Sequence, residues 1–419
     1  MKMKLHLMFV LFILGTSCAG NNNESNKNIH INNEISKTID LTVAFENIQT
    51  VKLSEMVDSV IFIPFETTRQ SLMGQGQRNI KFSPIYIYYY GMYFDWNGKY
   101  GGTIIKKGQG PYEEVDGGTL AYNNHHFYSK GAKFIEYDIT GKPTGKVRNL
   151  YASREFGEND FLRGGIDFSS IEENFVIYNY PSTIYIIDRA FETVYSKVVT
   201  EVDSLLFIAD RIGNSKHISY YKDNVLFYNF MNDTIFYVTN SGLNPQWIVS
   251  LDDKLKLSTY VHLNIRKLLR DAMLAMGSGN SIENTELIKL TDNKHKVTEV
   301  YETESYLFFV MTEIVMLPAP RNKQLTEPYL IYFDKKTGKT IRVNKGFEDD
   351  ILGMDFFFPH LGIYDEKLIT FIWPFELFEY IEKCNSRGRE VNPQLIELSK
   401  KIEPDDNPVL ILVHLKKNA

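Results

Sequence analysis

Short runs of apolar and aromatic residues recur down this chain, each closing on the same polar punctuation. The cleanest is Tyr329-Leu-Ile-Tyr-Phe-Asp334-Lys-Lys-Thr-Gly338-Lys339. Phe134-Ile-Glu-Tyr-Asp138-Ile-Thr-Gly141-Lys142 and Tyr93-Phe94-Asp95-Trp-Asn-Gly98-Lys99 repeat it. Ile184-Tyr-Ile-Ile-Asp188 lacks the glycine, and Thr234-Ile-Phe-Tyr-Val-Thr-Asn240-Ser-Gly242 carries Asn for Asp. β-branched and aromatic residues suit strands. Asp or Asn bonds its own backbone ahead, and Gly accepts the positive φ of a tight turn. Each run is therefore predicted to be a strand entering a hairpin. The marks at Asp95, Asp138, Asp188, Asn240 and Asp334 lie 43, 50, 52 and 94 residues apart. A period of roughly 40–50 residues with several strands per unit predicts a β-propeller.

The long interval has its own explanation. Val261, Ile265, Leu268, Leu269, Ala272, Met273 and Met276 follow helical spacing, with Arg266, Lys267, Arg270 and Asp271 off that stripe. An amphipathic helix near 258–276 is thus expected between two blades, packed on the propeller with a solvated charged face; the basic residues also suit a membrane surface or a partner. Near the end, Lys367 to Trp373 forms a strand closed by Pro374, helical stretches fill 376–401, and Val409 to Leu415 is a buried-strand run. At the other end, Ser59 to Ile63 is a strand stopped by Pro64, near an edge because proline cannot donate to a ladder. A strand at each end suits a propeller whose termini complete one blade. The expected fold is all-β: a six-bladed β-propeller over 41–419 with small helical insertions, its blades near 80–118, 120–160, 165–205, 217–250, 295–345 and 353–415.

Composition agrees: 26 Tyr and 28 Phe bring aromatics to 14%, within 43% hydrophobic and 23% charged residues. The N-terminus adds an address. Met1 to His6 is basic, Leu7 to Leu14 is apolar but too short to span a bilayer, and Gly15-Thr16-Ser17 precede Cys18. These features predict a secretory signal over 1–17. Cys18 directly after small residues looks like a lipobox and is the expected lipidation site. The usual Leu three residues before the Cys is here Gly15, with Leu14 one further back, which leaves ordinary cleavage open. Asn21 to Asn28 is polar, so 18–40 is expected to be a flexible tether. Only Cys384 then remains, and stability must come from packing. Loss of Lys2 and Lys4 moves the formal charge from −6 to −8. A mildly acidic chain without a basic tract excludes nucleic acid as a partner. Any membrane attachment is expected through the N-terminal lipid alone.

Candidate chemistry is sparse. Gly108-Gln109-Gly110-Pro111 lacks the Lys-Ser/Thr and helix of a phosphate-binding loop and the βαβ setting of a dinucleotide fingerprint. It is expected to be a sharp crossing between blades, placing Gln109, Glu113 and Glu114 near a propeller face as candidate ligand-loop residues. His125 and His126 would point to opposite faces of a strand and cannot easily share a metal. Glu348-Asp349-Asp350 with Asp355 could bind Ca²⁺ but lacks the known loop spacing. There is no Gly-x-Ser-x-Gly elbow, and a glycosidase would need two carboxylates facing across roughly 5–9.5 Å. No catalytic, cofactor or metal residues are assigned.

Several motifs together resemble the six-bladed β-propeller lipoproteins of Bacteroides-type bacteria, carried as domains of unknown function. They are Leu53 to Val60 leading to Ile63-Pro64-Phe65-Glu66-Thr67-Thr68, the hairpin with its Gly108–Pro111 loop, Asn232-Asp233-Thr234-Ile235, and Asp406-Asn407-Pro408-Val409. The family loop continues Gly-Glu-Tyr after the proline, whereas Tyr112-Glu113-Glu114 follows here. The resemblance implies an exported, outer-membrane-attached propeller without an assigned reaction. The function expected is a non-enzymatic, monomeric binding or scaffold module for a protein, peptide or glycan. The alternative is a glycan hydrolase or lyase with acidic residues at the central channel. Ionisable groups converging at the channel mouth would favour the second.

Overall fold

The computed structural model describes residues 37–74, 80–114, 119–123, 125–131, 133–149, 166–179, 183–190, 192–198, 218–222, 224–229, 233–278, 285–314, 327–352, 354–388 and 390–416. The signal segment, Cys18 and the tether before residue 37 lie outside the described residues. Six four- or five-stranded sheets make the six blades of a propeller. Blade 1 is Ile80–Phe82, Tyr86–Tyr89, Met92–Asp95 and Tyr100–Thr103; blade 2 is Thr119–Asn123, His126–Lys130, Lys133–Tyr137 and Pro143–Asn149. Blade 3 is Ile166–Ile171, Asn174–Asn179, Thr183–Ile187 and Thr193–Val198; blade 4 is Ile218–Tyr221, Asn224–Asn229, Thr234–Thr239 and Gly242–Ser250. Blade 5 is His295–Glu302, Tyr306–Glu313, Tyr329–Asp334 and Thr340–Val343. Blade 6 is Gly362–Tyr364, Lys367–Ile372, Val409–Leu415 and, as its outer strand, Val57–Pro64. The two ends of the chain therefore complete one blade, with Val60 opposite Val413.

The middle strands of each blade are buried on both faces and are nearly continuous apolar runs. Successive side chains on a strand point to opposite faces. Phe308 accordingly packs toward blade 6 with Leu368 and Ile411, while Phe309 packs toward blade 4 with Leu226 and Ile235. Ile87 and Phe94 meet Ile369 and Leu412 between blades 1 and 6, Phe127 and Leu120 meet Tyr88 and Ile105 between blades 1 and 2, and Val176 and Ile186 meet Phe227 and Phe236 between blades 3 and 4. Tyr128 and Phe134 press on Phe175 at ring separations of 4.4 and 5.3 Å, joining blades 2 and 3. All six interfaces are thus closed by side chains, which explains the aromatic surplus.

The hairpin punctuation works as the residue chemistry requires. Asp95 Oδ1 accepts from the N–H of Asn97 and Lys99, Asp138 Oδ1 from Thr140 and Lys142, Asp188 Oδ1 from Ala190 and Glu192, and Asp334 Oδ1 from Lys336 and Thr337, all at 2.8–3.1 Å. Asn240 differs. Thr239 pairs directly with Gly242, and in this two-residue turn it is the Thr239 hydroxyl that bonds the Gly242 carbonyl, at 3.2 Å. Asn240 instead bonds Asn174 and Glu172 of blade 3. In blade 1 the outer strand stops at Thr103, and Ile104 and Ile105 leave the sheet with both N–H groups on the Gly91 carbonyl.

Two further features were not anticipated. The propeller begins before residue 41: Lys37–Asp40 pairs in parallel with the outer strand of blade 4, Lys37 opposite Trp247. Ile48–Gln49 then pairs in parallel with the outer strand of blade 5, Ile48 opposite Arg342. Residues 37–64 are therefore a belt that adds a strand to blades 4, 5 and 6 in turn, through two short helices, α1 (Thr42–Glu46) and α2 (Leu53–Met56). Polar, short strands like these carry no periodicity signal.

α1 sets Phe45 against His295 at a ring separation of 4.8 Å. Tyr329 Oη lies 2.9 Å from His295 Nδ1, and the Arg342 guanidinium sits 3.9 Å over the Tyr329 ring. Burial, and secondarily Arg342, lowers the His295 pKa to about 4. The unfolded chain, with an ordinary value near 6.5, then binds more protons between these limits. Stability should be full above about pH 6.5 and fall as the pH drops toward 4, by at most about 3 kcal/mol before solvent screening is discounted. Thermal unfolding from pH 7 to pH 4 should show this slope, and His295→Gln should flatten it; an equal slope in the variant would assign the effect elsewhere.

The remaining helices are α3 (Thr259–Gly277) and α4 (Glu286–Thr291) between blades 4 and 5, and α5 (Pro374–Ser386) and α6 (Pro393–Ser399) within blade 6. Pro374 and Pro393 each sit in the first turn, where a missing N–H costs nothing. Asn392 Oδ1 caps α6 on the N–H of Gln394 at 2.8 Å. α3 buries Val261, Leu268 and Ala272 with Leu287 and Ile314. Met273, assigned to the apolar stripe by spacing, is instead 69% exposed, and Leu274 is 65% exposed. Among the described residues no helix is long and apolar enough to cross a membrane.

Candidate functional site

Strand alternation gives the propeller two unlike faces. The connections from first to second and from third to fourth strands are turns of two to five residues, all at one face. The opposite face receives the crossings from blade to blade and the second-to-third connections, and with them α3, α4, α5 and α6. Extra sequence, and so any specialised surface, is concentrated there.

The glycine loop lies on that face, in the crossing from blade 1 to blade 2. Its stem is a short parallel pair, Lys106–Lys107 with Glu113–Glu114. Glu113 turns inward: its Oε2 accepts from the N–H of Gly110 at 2.9 Å, and a Cβ at Gly108 would overlap that carboxylate. Lys133 Nζ donates to the carbonyls of Gly110, Pro111 and Glu113 at 2.6–3.3 Å. Glu114 is buried and its Oε1 accepts from the N–H of Lys133 at 3.3 Å. The glycines thus make room for a carboxylate that holds the loop together. Of the three candidates, Gln109 is exposed, whereas Glu113 and Glu114 are committed to loop structure.

At the tight-turn face the channel is crossed by aromatics. Tyr364, ending the first strand of blade 6, stands 6.3 Å from Tyr220 of blade 4 and 6.0 Å from both Phe82 and Trp96 of blade 1. Tyr220 Oη accepts from the N–H of Ser170 in blade 3 at 3.2 Å. Tyr88, held to Ser83 at 3.0 Å, has its hydroxyl pKa pushed up mainly by burial and further by the Tyr220 and Tyr364 hydroxyls. Side chains from three blades therefore meet across the axis, and a backbone N–H of a fourth joins them. Both Tyr220 and Tyr364 lie just before 1–2 turns, at Lys222 and Asp365, with positive φ. That placement was the available sequence signal.

Beside this plug is a charged cluster that spacing also missed. Glu302 has a side chain only 2% exposed; its Oε1 meets Lys335 Nζ at 2.6 Å and its Oε2 accepts from Tyr237 Oη at 3.0 Å. Lys335 also donates to the Thr303 carbonyl at 2.6 Å and lies 4.8 Å over the Tyr221 ring. Glu366 Oε1 accepts from the N–H of Glu304 at 2.8 Å, and burial raises its pKa. These carboxylates tie blades 4, 5 and 6 together.

The other sequence candidates are dispersed. His125 sits in a turn with φ 63°, its Nδ1 3.4 Å from Tyr122 Oη, whereas His126 is on the strand near Tyr128. Asp349 accepts from the N–H of Ile351, Leu352 and Met354 at 2.6–3.1 Å, and Asp350 from the N–H and hydroxyl of Ser54. Asp355 lies 4.0 Å from Lys383. The acidic run is thus spent on loop backbone. Among the described residues no group of three His, Cys, Asp or Glu could hold a metal ion.

Six blades closed by a strand from each end define the class: a six-bladed β-propeller. Residues 36–414 match the domain of unknown function DUF4934, and the chain belongs to that family. A Bacteroides fragilis protein inferred to be exported is similar in structure over 91% of this chain and 99% of its own, with a TM-score of 0.59 at 16% identity. At that identity the likeness is one of fold. BamB of Moraxella catarrhalis aligns over 68% of this chain and 62% of its own, with a TM-score of 0.33 at 13% identity, and adds nothing to the assignment. No curated protein matches the chain.

Proposed function

We propose that the protein is an exported lipoprotein, anchored in the outer membrane through Cys18, whose propeller is a monomeric binding or scaffold module for a protein, peptide or glycan. The observation that carries this reading is the contact of Tyr364 with Tyr220 across the channel. Rings in edge contact take up the tight-turn end of the channel, leaving no room there for opposed carboxylates, and Glu302 beside them is paired with Lys335. The elaborated opposite face is the surface left for a partner. The exported character of the structurally similar Bacteroides fragilis protein supports the location.

The alternative, a glycan hydrolase or lyase, draws on Glu366, whose carboxyl is raised by burial as a general acid's would be. Glycan and peptide arrays probed with the mature chain, followed by product analysis of each hit, separate the two. Tight binding without products is the expected result; turnover of a bound glycan would overturn the binding reading. Cys18→Ala should move the protein from the membrane to the soluble fraction, and unchanged fractionation would remove the lipid anchor.

A further inference from the structure

We propose that protonation of His295 opens the joint between α1 and blade 5, so that acid frees residues 45–50 of the belt while the propeller stays folded. The belt is held unevenly along its length. Ile39, Leu41 and Ala44 are fully buried in the core between blades 4 and 5, and Val51 and Leu53 are buried in the core between blades 5 and 6. Between these anchors Phe45 and Asn47 are half-buried, and Glu46, Ile48, Gln49 and Thr50 are exposed. The span is tied to blade 5 by the two-residue pairing of Ile48 and Gln49 with Arg342 and Val343. The N–H groups of Arg342 and Asn344 donate to the carbonyls of Asn47 and Gln49, and Asn47 Nδ2 donates to the Thr340 carbonyl, each at 3.2 Å. The remaining tie is the Phe45 ring on His295.

That tie sits where a change of charge acts on it. The Arg342 guanidinium already lies 3.9 Å over the Tyr329 ring and 5.4 Å from the Phe45 ring, and both rings contact His295. An imidazolium would put a second cation into this aromatic box, where the low dielectric makes repulsion strong. The other charged groups packed around it are spent elsewhere. Lys256, bridged to His295 through its backbone, pairs with Asp233, and Lys294 Nζ donates to the carbonyls of Asp253 and Lys254 at 2.8 Å. Lys296, the next residue on the strand, points to the opposite face. Glu46, the one charged residue of α1, is exposed. Burial raises the Tyr329 pKa against the pull of Arg342, and Glu313, opposite His295 across the ladder, adds to the rise. On His295 itself burial is followed by Arg342, which holds the ring neutral down to about pH 4. Lifting Phe45 hydrates the imidazole and lets it return toward 6.5, so the open joint binds more protons and is favoured as the pH falls between these values.

Hydrogen exchange on the mature chain reads the joint through the amides of Arg342 and Asn344, whose acceptors lie on the belt. Their protection, corrected for the intrinsic rate, should fall by up to about a hundredfold from pH 7 to pH 4. The pairing of Lys37–Asp40 with blade 4 should stay protected throughout, and His295→Gln should keep Arg342 and Asn344 protected at both pH values. Unchanged protection in the parent chain, or a loss that persists in His295→Gln, would overturn the proposal. So would a simultaneous loss at Phe308 and Phe309, which would mean that acid unfolds the blade as a whole. Phe45→Ala gives a second reading that does not depend on the behaviour of His295→Gln. Removing the covering ring should move the NMR titration of His295 up from about 4 toward 6.5; an unmoved titration would detach α1 from His295 and overturn the proposal.

Discussion

Replacing Asn407 by Ala is expected to lower the stability of the propeller by about 3–5 kcal/mol. The side chain is 2% exposed and makes three hydrogen bonds, two of them fully buried. Its Nδ2 donates to the carbonyls of Glu66 and Ser71, both at 2.8 Å, and its Oδ1 accepts from the N–H of Met73 at 2.9 Å. These bonds join the C-terminal part of the chain to the crossing that leads from the belt into blade 1. Alanine removes all three bonds at once: the Ser71 carbonyl and the Met73 N–H lose this partner, while the Glu66 carbonyl keeps the Ser71 hydroxyl at 2.7 Å. Urea unfolding should show a lower midpoint at unchanged slope. Asn407→Asp should also destabilise, because a carboxylate keeps the acceptor but offers no donor to the two carbonyls. A loss below about 1 kcal/mol in Asn407→Ala would mean the joint relaxes or hydrates.

Lys335→Met should cost about 3 kcal/mol, because it strips the counter-charge from a nearly inaccessible Glu302 while keeping most of the side-chain volume. The Thr303 carbonyl loses its donor in the same step, and the Tyr221 ring loses one of its two cations, Lys222 remaining at 5.1 Å. The double variant Glu302→Gln/Lys335→Met should recover much of the loss, since the penalty lies in the unpaired charge rather than in the absence of the pair. Equal stability of the single and double variants, measured by chemical denaturation, would show that Glu302 reaches solvent or another partner.

The blades are legible in the sequence because their information is local: a β-branched run, an Asp that caps its own turn, a glycine at positive φ. Asp138 and Asp334 do what their neighbours in sequence imply. Asn240 does not, since its turn is two residues long and its partners, Asn174 and Glu172, come from another blade. Met273 follows the helical period yet faces outward, because period fixes spacing on a helix and not which arc meets the core. Glu113 and Glu114 looked available because nothing in a linear sequence shows a carboxylate folding under its own loop. Tyr220 and Tyr364 are separated by 144 residues and meet only because the ring closes. The belt escaped notice because Lys37–Asp40 and Ile48–Gln49 derive their strand character from the edges they join.

The belt also dictates an order of events. Lys37, Ile48 and Val60 pair with Trp247, Arg342 and Val413, positions 210, 294 and 353 residues later. Residues 37–64, made before any blade, can therefore dock only after the last three blades exist, and such distant pairings form slowly. Until then the rims of blades 4 and 5 offer bare strand edges, and blade 6 lacks its fourth strand. Maturation of this protein has a latch that snaps late, so the step most exposed to aggregation or proteolysis is the wait for residues 37–64 to return.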